Sequence, residues 1–200
     1  IGIDCRSLEL IDVCIPQGMT IMMINSNVKR GLVDSEYNTR REQCEKAAEF
    51  FGVSHLRDVT VTEFEQKKAE LDPVVAKRAE HVVYENQRTL DAMAAFNNAD
   101  IGLISQLMAQ SHESMKDLFQ ITVPQIDYLV DLIAGVIGAN GGVRMTGGGF
   151  GGCIVALVPD TLVDHVQDVV EQKYEPHTGI KERIYISQPV KGVSVLSQES

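Results

Sequence analysis

Three kinds of hydrophobic patterning follow one another along the chain. Residues 1–27 read as β: "IGIDCRSLEL", a turn-prone "CIPQG", then "MTIMMINSN", rich in Ile and Met. The next stretch of roughly 110 residues reads as helical. Asp34 and Ser35 are N-cap candidates for a first helix, on which Tyr37, Cys44 and Phe51 recur every seven residues with Ala47 and Ala48 between, and Gly52 stops it. Thr62 and Glu65 form a T-x-x-E capping box before "EFEQKKAEL", and Asp72 followed by Pro73 opens a long helix. Its expected buried side carries Val75, Ala79, Val82, Val83, Leu90, Met93 and Phe96. A helix from Asp100 turns Ile101, Ile104, Met108 and Met115 inward. Thr122 and Gln125 form a second capping box, and Ile126, Leu129, Val130, Ile133 and Ile137 then keep a 3.6-residue period up to Gly138.

The last sixty or so residues change character. "GVRMT" is a short strand, "CIVALVP" a continuous apolar run expected to be buried on both faces, and "ERIYISQ" a closing strand. Between the last two, Pro159 and Asp160 open an amphipathic helix with Leu162, Val163, Val166, Val169, Val170 and Tyr174 on one side. Counted from "MTIMMIN", the order is β, a helical block, β, β, α, β. That is an α+β, ferredoxin-like βαββαβ order whose first crossover is enlarged by extra helices. Strands near 20–26, 142–146, 153–158 and 183–188 are expected to form one four-stranded antiparallel sheet. Residues 1–18 have no place in this count and are assigned to the end of a preceding domain, leaving 19–200 as the second domain. The chain opens on Ile1, already in a strand-like segment, so a piece of a longer protein is expected.

Composition narrows the function classes. The net charge is −10, and no block of Lys and Arg is longer than a pair, which argues against a nucleic-acid or anionic-membrane surface. No apolar run approaches the roughly 20 residues of a membrane span, and no signal peptide is expected. Four scattered cysteines without C-x-x-C spacing are expected to be buried free thiols in a reducing compartment, hence a cytoplasmic protein. No metal-ligand spacing occurs.

The most informative stretch is "GGVRMTGGGFGGC", residues 141–153, with seven glycines in thirteen positions. Gly147, Gly149 and Gly152 satisfy G-x-G-x-x-G, but that fingerprint needs a helix immediately afterwards and this loop runs into a strand. A phosphate-binding P-loop is excluded because no lysine follows the glycines. A tight hairpin is the plainer alternative, yet it uses one or two glycines rather than five. A backbone surface facing a ligand or another loop is the expected role.

These residues carry a resemblance. "GVRMTGGGFGGCIVALVP" resembles the third conserved motif of the GHMP small-molecule kinases in its galactokinase form. "NSNVKRGLVDSEYNTRREQCE" is similar to the galactokinase segment around a sugar-contacting tyrosine, and "ESMKDLFQITVPQIDYLV" and "IDCRSLEL" resemble further segments of that family in the same order. The likeness is to bacterial galactokinases and covers nearly the whole chain.

The resemblance implies a GHMP-kinase C-terminal domain within an enzyme that transfers the γ-phosphoryl of ATP to the anomeric hydroxyl of D-galactose. In that family the catalytic aspartate, the magnesium ligands and the phosphate loop precede the region matched here. No catalytic residue is therefore expected in this chain, ATP and magnesium fall mainly to the N-terminal half, and that half is the expected protein partner. Tyr37 matches the galactose-contacting tyrosine, although its spacing to Cys44 and Phe51 fits a core position equally well. Gly147, Gly148, Gly149, Gly151 and Gly152 are expected to support the phosphate loop. Arg144 is a candidate interface or phosphate contact, with pairing to a carboxylate preferred. Arg40 and Arg41 lie on the helix of Tyr37, where at least one is expected to be solvated. His112 is expected to be a satisfied packing histidine, and Asp34 an N-cap rather than a base. A non-catalytic sugar sensor on the same fold, or a stand-alone ferredoxin-like module, are the alternatives.

Overall fold

The computed structural model describes residues 1–29 and 33–187, with 33–35 by backbone alone, so the side chains of Asp34 and Ser35 lie outside the described residues. Two short strands come first, β1 (Gly2–Ile3) and β2 (Leu10–Ile11), then β3 (Met19–Asn25). Helices α1 (Val33–Phe51), α2 (Val61–Lys67), α3 (Pro73–Asn97), α4 (Ile101–Ser114) and α5 (Pro124–Ile137) follow. The chain then forms β4 (Gly142–Thr146), β5 (Cys153–Pro159), α6 (Val163–Thr178) and β6 (Arg183–Ser187).

β3 to β6 build one sheet in the order β4-β5-β3-β6, every neighbouring pair antiparallel. This is the expected βαββαβ plan with α1 to α5 in the first crossover. The register sets Ile24 beside Ile154 on one side and Ile184 on the other. Alternation along β3 sends Thr20, Met22 and Ile24 to a face that α5 and α6 cover completely. Met22, Ile24, Met145, Ile154 and Val158 meet Ile126, Leu129, Ile133, Val166, Val170 and Tyr174 there, all fully buried. Each such side chain removed from water stabilises by about 1.5–3 kcal/mol, so this layer is the main core.

The second face of the sheet is covered only at one end. Leu157 is buried against α3 and α4 through Ala95, Ile104 and Leu107, whereas Val155 is half-buried and Met23 is 40% exposed. The apolar run of β5 is thus buried on both faces over only part of its length, because the helical layer is narrower than the sheet. A third cluster ties α1, α2 and α3 together through Ala47, Phe51, Leu56, Phe64 and Val83.

Several local expectations shift. The cap of α2 is Thr60, whose hydroxyl accepts from the Glu63 N–H at 3.1 Å, rather than Thr62. The sequence contains T-x-x-E in both frames, and only the Thr60 frame sets apolar Val59 before the cap against Phe64 at the fourth helical position. α5 starts with Pro124 as its first residue after Val123, with no side-chain cap, so Thr122 and Gln125 form no capping box. Asp72 and Asp100 cap α3 and α4 as expected. Leu90 is 57% exposed, since α3 packs on α1 early in its length and on α4 later, and its inner face rotates between the two. Met115–Phe119 form a π-helical turn ending on left-handed Gln120, which the pattern did not indicate. All four cysteines are free, but Cys5 and Cys14 are exposed, so the expectation of four buried thiols fails.

β1 and β2 pair with each other, Gly2 beside Ile11 and Ile3 beside Leu10. Two crossed ion pairs hold this hairpin to the turn at Leu56–Asp58. Arg6 grips both oxygens of Asp58 at 2.8 and 2.7 Å, and Arg57 grips both oxygens of Asp4 at 3.0 and 2.6 Å. The Arg57 guanidinium, with two backbone N–H groups, holds the Asp4 carboxyl well below the ordinary carboxylate range.

Candidate functional site

The glycine loop connects β4 to β5, and its glycines do different things. Gly147, Gly149, Gly151 and Gly152 all have φ between +83° and +118°, a region costly to a residue with a Cβ. A Cβ at Gly149 would stand 2.4 Å from the carbonyl oxygen of Ile121, and one at Gly151 would stand 3.0 Å from that of Val28. A Cβ at Gly148 would meet nothing within 4 Å among the described residues. Gly149 and Gly151 are buried while Gly147 and Gly148 are exposed. One side of the loop is therefore pressed onto the chain's own backbone, and the Gly147–Gly148 edge is bare peptide facing outward.

Hydrogen bonds fix that posture from both ends. The Phe150 N–H donates to the Ile121 carbonyl at 2.6 Å. The Gly152 carbonyl accepts from both the N–H and the hydroxyl of Ser26, each at 2.8 Å, and Ser26 is fully buried. The Tyr174 hydroxyl, reaching from α6, donates to the Ser26 carbonyl at 2.9 Å. The loop is thus anchored to the end of β3, to α6 and to the segment after α4.

Tyr37 stands on α1 with 57% of its surface exposed, so the core position that its spacing permitted is not the one it takes. The inner face of α1 is filled instead by Ala47, Ala48, Phe51 and Arg40. Arg40, one turn beyond Tyr37, is buried. It donates to the Phe119 carbonyl at 2.7 Å and to the Gln120 carbonyl at 3.0 Å, pairs with Glu36 at 3.3 Å, and lies 5.9 Å from the Phe150 ring centroid. Arg78 on α3 joins it, donating to the Leu118 carbonyl, to Gln120 Oε1 at 2.7 Å and to Gln43 Oε1 at 3.1 Å. Burial, and then the nearby Arg40 charge, push the Arg78 guanidinium below its ordinary value. The two arginines clamp residues 118–120, and the next carbonyl, Ile121, is the one beneath Phe150. The helix carrying Tyr37 and the glycine loop are therefore braced on one segment. The sequence leaves Arg40 open between a solvated and a buried place, and nothing in it singles out Arg78. Their only sequence signal is helical spacing, at three residues from Tyr37 for Arg40.

The remaining candidates lie elsewhere. Arg144 points away from the loop into a cavity, 3.6 Å from Glu85 Oε1 and donating to the Ser111 hydroxyl at 3.2 Å. Arg41 is exposed and pairs with Glu45. His112 is buried and satisfied, with Nδ1 accepting from the Met145 N–H at 3.3 Å and Nε2 3.3 Å from Asp127. Burial alone would raise the Asp127 carboxyl, but hydrogen bonds from His112 and Thr122 prevail and hold it below its ordinary value. Among the described residues no cluster of three or more His, Cys, Asp or Glu has a geometry fit for a metal ion, and no helix is long and apolar enough to cross a membrane. Gly147 and Gly148 are exposed, and the described side chains do not fit magnesium.

Comparison with known proteins gives these features a family. Residues 92–176 match the family model described as GHMP kinases C terminal. A galactokinase from Pasteurella multocida (strain Pm70) is 57% identical over 196 residues, 96% of this chain and 51% of that protein. One from Haemophilus influenzae (strain PittEE) is 55% identical over 97% of this chain and 51% of its own length. A solved galactokinase from Lactococcus lactis, complexed with galactose, superposes with a TM-score of 0.85 at 32% identity, covering 93% of this chain and 49% of that one. The chain spans about half the length of the curated relatives it matches. Residues 92–176 carry the domain found at the C terminus of GHMP kinases, the fold is that of the matching half of a galactokinase, and the chain is homologous to galactokinases over that half.

Proposed function

We propose that this chain is the C-terminal half of a cytoplasmic galactokinase, which moves the γ-phosphoryl of ATP to the anomeric hydroxyl of D-galactose. The observation that carries this reading is the 57% identity over 96% of the chain with a galactokinase. The anomeric oxygen attacks the γ-phosphorus, the bond to the β,γ-bridging oxygen breaks, and the products are galactose 1-phosphate and ADP. A carboxylate of the other half accepts the hydroxyl proton, and the same half holds ATP and its magnesium. Residues 1–18 pack with that preceding domain, and 19–200 form the C-terminal one.

In this chain the Tyr37 phenol hydrogen-bonds a galactose hydroxyl, a role its exposure on α1 supports. Gly147, Gly148, Gly149, Gly151 and Gly152 back the nucleotide loop of the other half. Gly149 and Gly151 hold the shape, and the open side of Gly148 faces the phosphates. The test is galactose-dependent ADP release by the full-length protein, with glucose and N-acetylgalactosamine as controls. Tyr37→Phe should raise the galactose KM more than the ATP KM. Equal effects on both would remove Tyr37 from the sugar site, and no galactose-dependent release by the wild type would overturn the kinase reading.

A further inference from the structure

A cavity of about 760 Å³ lies away from the glycine loop, between α3, α4 and the half-covered face of the sheet. Its walls are apolar: Ile21 and Val155 from the sheet, Phe96 from α3, Leu107 and Met108 from α4. One end is charged. Glu85 Oε2 accepts from Arg88 Nε at 2.7 Å, Glu85 Oε1 accepts from the Ser111 hydroxyl, and Arg144 Nη1 stands 3.6 Å from Glu85 Oε1. Two guanidiniums thus share one carboxylate. His81, on the same helix, adds no charge at neutral pH, because burial pushes its imidazole down to about 4. Arg88 Nη2 is buried with no acceptor among the described residues. A buried guanidinium N–H without an acceptor costs more than a neutral one, so this end of the cavity favours an incoming acceptor.

We infer that this cavity is a docking site for a segment of the protein's other half, which lays apolar side chains along its walls and presents an Asp or Glu carboxylate to Arg88 and Arg144. The inference rests on the reading of the chain as one half of a longer kinase. Charge complementarity gives the carboxylate: one anion neutralises the excess guanidinium and satisfies Arg88 Nη2. The surroundings favour a polypeptide over a small free ligand. Gly2 of the β1–β2 hairpin lines the cavity, and the same hairpin exposes Ile3, Leu8 and Leu10, while Met23 is open on the sheet face of Ile21. Apolar surface that continues beyond the cavity onto the hairpin and the sheet face suits a docked segment, which covers both. The relatives supply the partner, since this chain accounts for only 51% of their length.

The experiment places a photo-crosslinking residue, benzoylphenylalanine, at Thr89 of the full-length protein; Thr89 borders the cavity and is exposed. Crosslinked peptides are mapped by mass spectrometry in three backgrounds: wild type, Arg88→Gln and Arg88→Lys. The expected result is an intramolecular crosslink to an Asp- or Glu-bearing peptide outside residues 1–200. Its yield should fall several-fold in Arg88→Gln and recover at least half in Arg88→Lys. Crosslinks confined to residues 1–200, a crosslinked dimer, or equal yields in Gln and Lys backgrounds would each overturn the inference. Galactose-dependent ADP release on the same wild-type sample separates the two claims. Turnover without the outside crosslink sinks the docking site alone, and the crosslink without turnover sinks the kinase reading alone.

Discussion

Replacing Gly149 with Ala tests whether the loop's glycines serve the fold or the ligand. The new methyl would sit at φ +83°, and left-handed backbone costs an L-residue roughly 1–2 kcal/mol. It would also stand 2.4 Å from the Ile121 oxygen and 2.7 Å from the Ile121 Cβ, so the Ile121 peptide must move. That oxygen accepts from the Phe150 N–H, a bond with a net contribution of about 0.5–1.5 kcal/mol. Residues 118–120 are held by Arg40 and Arg78 and cannot easily yield. The expected destabilisation is about 2–4 kcal/mol, read from equilibrium urea unfolding followed by far-UV circular dichroism. Gly148→Ala is the matched control: its Cβ meets nothing, its φ is not positive, and stability should change by less than about 0.5 kcal/mol or rise slightly. The same control should lower kinase activity in the full-length protein if phosphate oxygens approach that edge. Equal stability losses at 148 and 149, or less than about 0.5 kcal/mol at 149, would refute the division of labour.

Other outcomes follow from the same contacts. Arg40→Met should cost about 2–4 kcal/mol in urea unfolding by leaving the Phe119 and Gln120 carbonyls without their donor, and Arg40→Lys should recover less than half, since an ammonium cannot span both. A loss under about 1 kcal/mol would show that the clamp is dispensable. His81 is neutral in the fold, with its value lowered from 6.5 to about 4, so its contribution is whole above pH 6.5 and is lost as pH falls toward 4. That loss is on the order of 3 kcal/mol, and a His81→Gln variant should show a flatter pH–stability curve over that window; an unchanged slope would exclude His81 as its source. Asp4 and Asp58 have lowered values, so their ion pairs persist at neutral pH and are lost only as pH falls below the ordinary carboxylate range of about 4. Limited proteolysis within residues 5–9 should therefore accelerate in acid, and already at pH 7 in Arg57→Ala; resistance of that variant at pH 7 would show that the hairpin is held by other contacts.

What could be read from the sequence is what neighbouring residues decide. Strand limits in the sheet and the inner faces of α5 and α6 follow from periods of two and 3.6, and each was legible. Choices between equivalent local signals were not. T-x-x-E occurs at Thr60 and at Thr62, and the apolar contact of Val59 with Phe64 breaks the tie. Tyr37 at heptad spacing from Cys44 and Phe51 looks like a core residue, but seven residues of a straight helix fall short of two full turns by about 20°. Arg40, with carbonyls to bind some eighty residues away, takes the inward place instead.

The glycine loop shows the same boundary most clearly. Its density announced that something approaches the backbone closely, and the approach is real at Gly149 and Gly151. The approaching groups are the carbonyls of Ile121 and Val28, one before α5 and one just beyond β3, which no local pattern could pair with a loop after β4. Those contacts account for two of the five glycines at residues 147–152. Among the described residues Gly148 has neither a positive φ nor a neighbour within 4 Å of a Cβ at that position. On the proposed reading of the chain as half of a kinase, that position is where a phosphate oxygen is expected, and Gly148→Ala with its stability and activity readouts is the test of it.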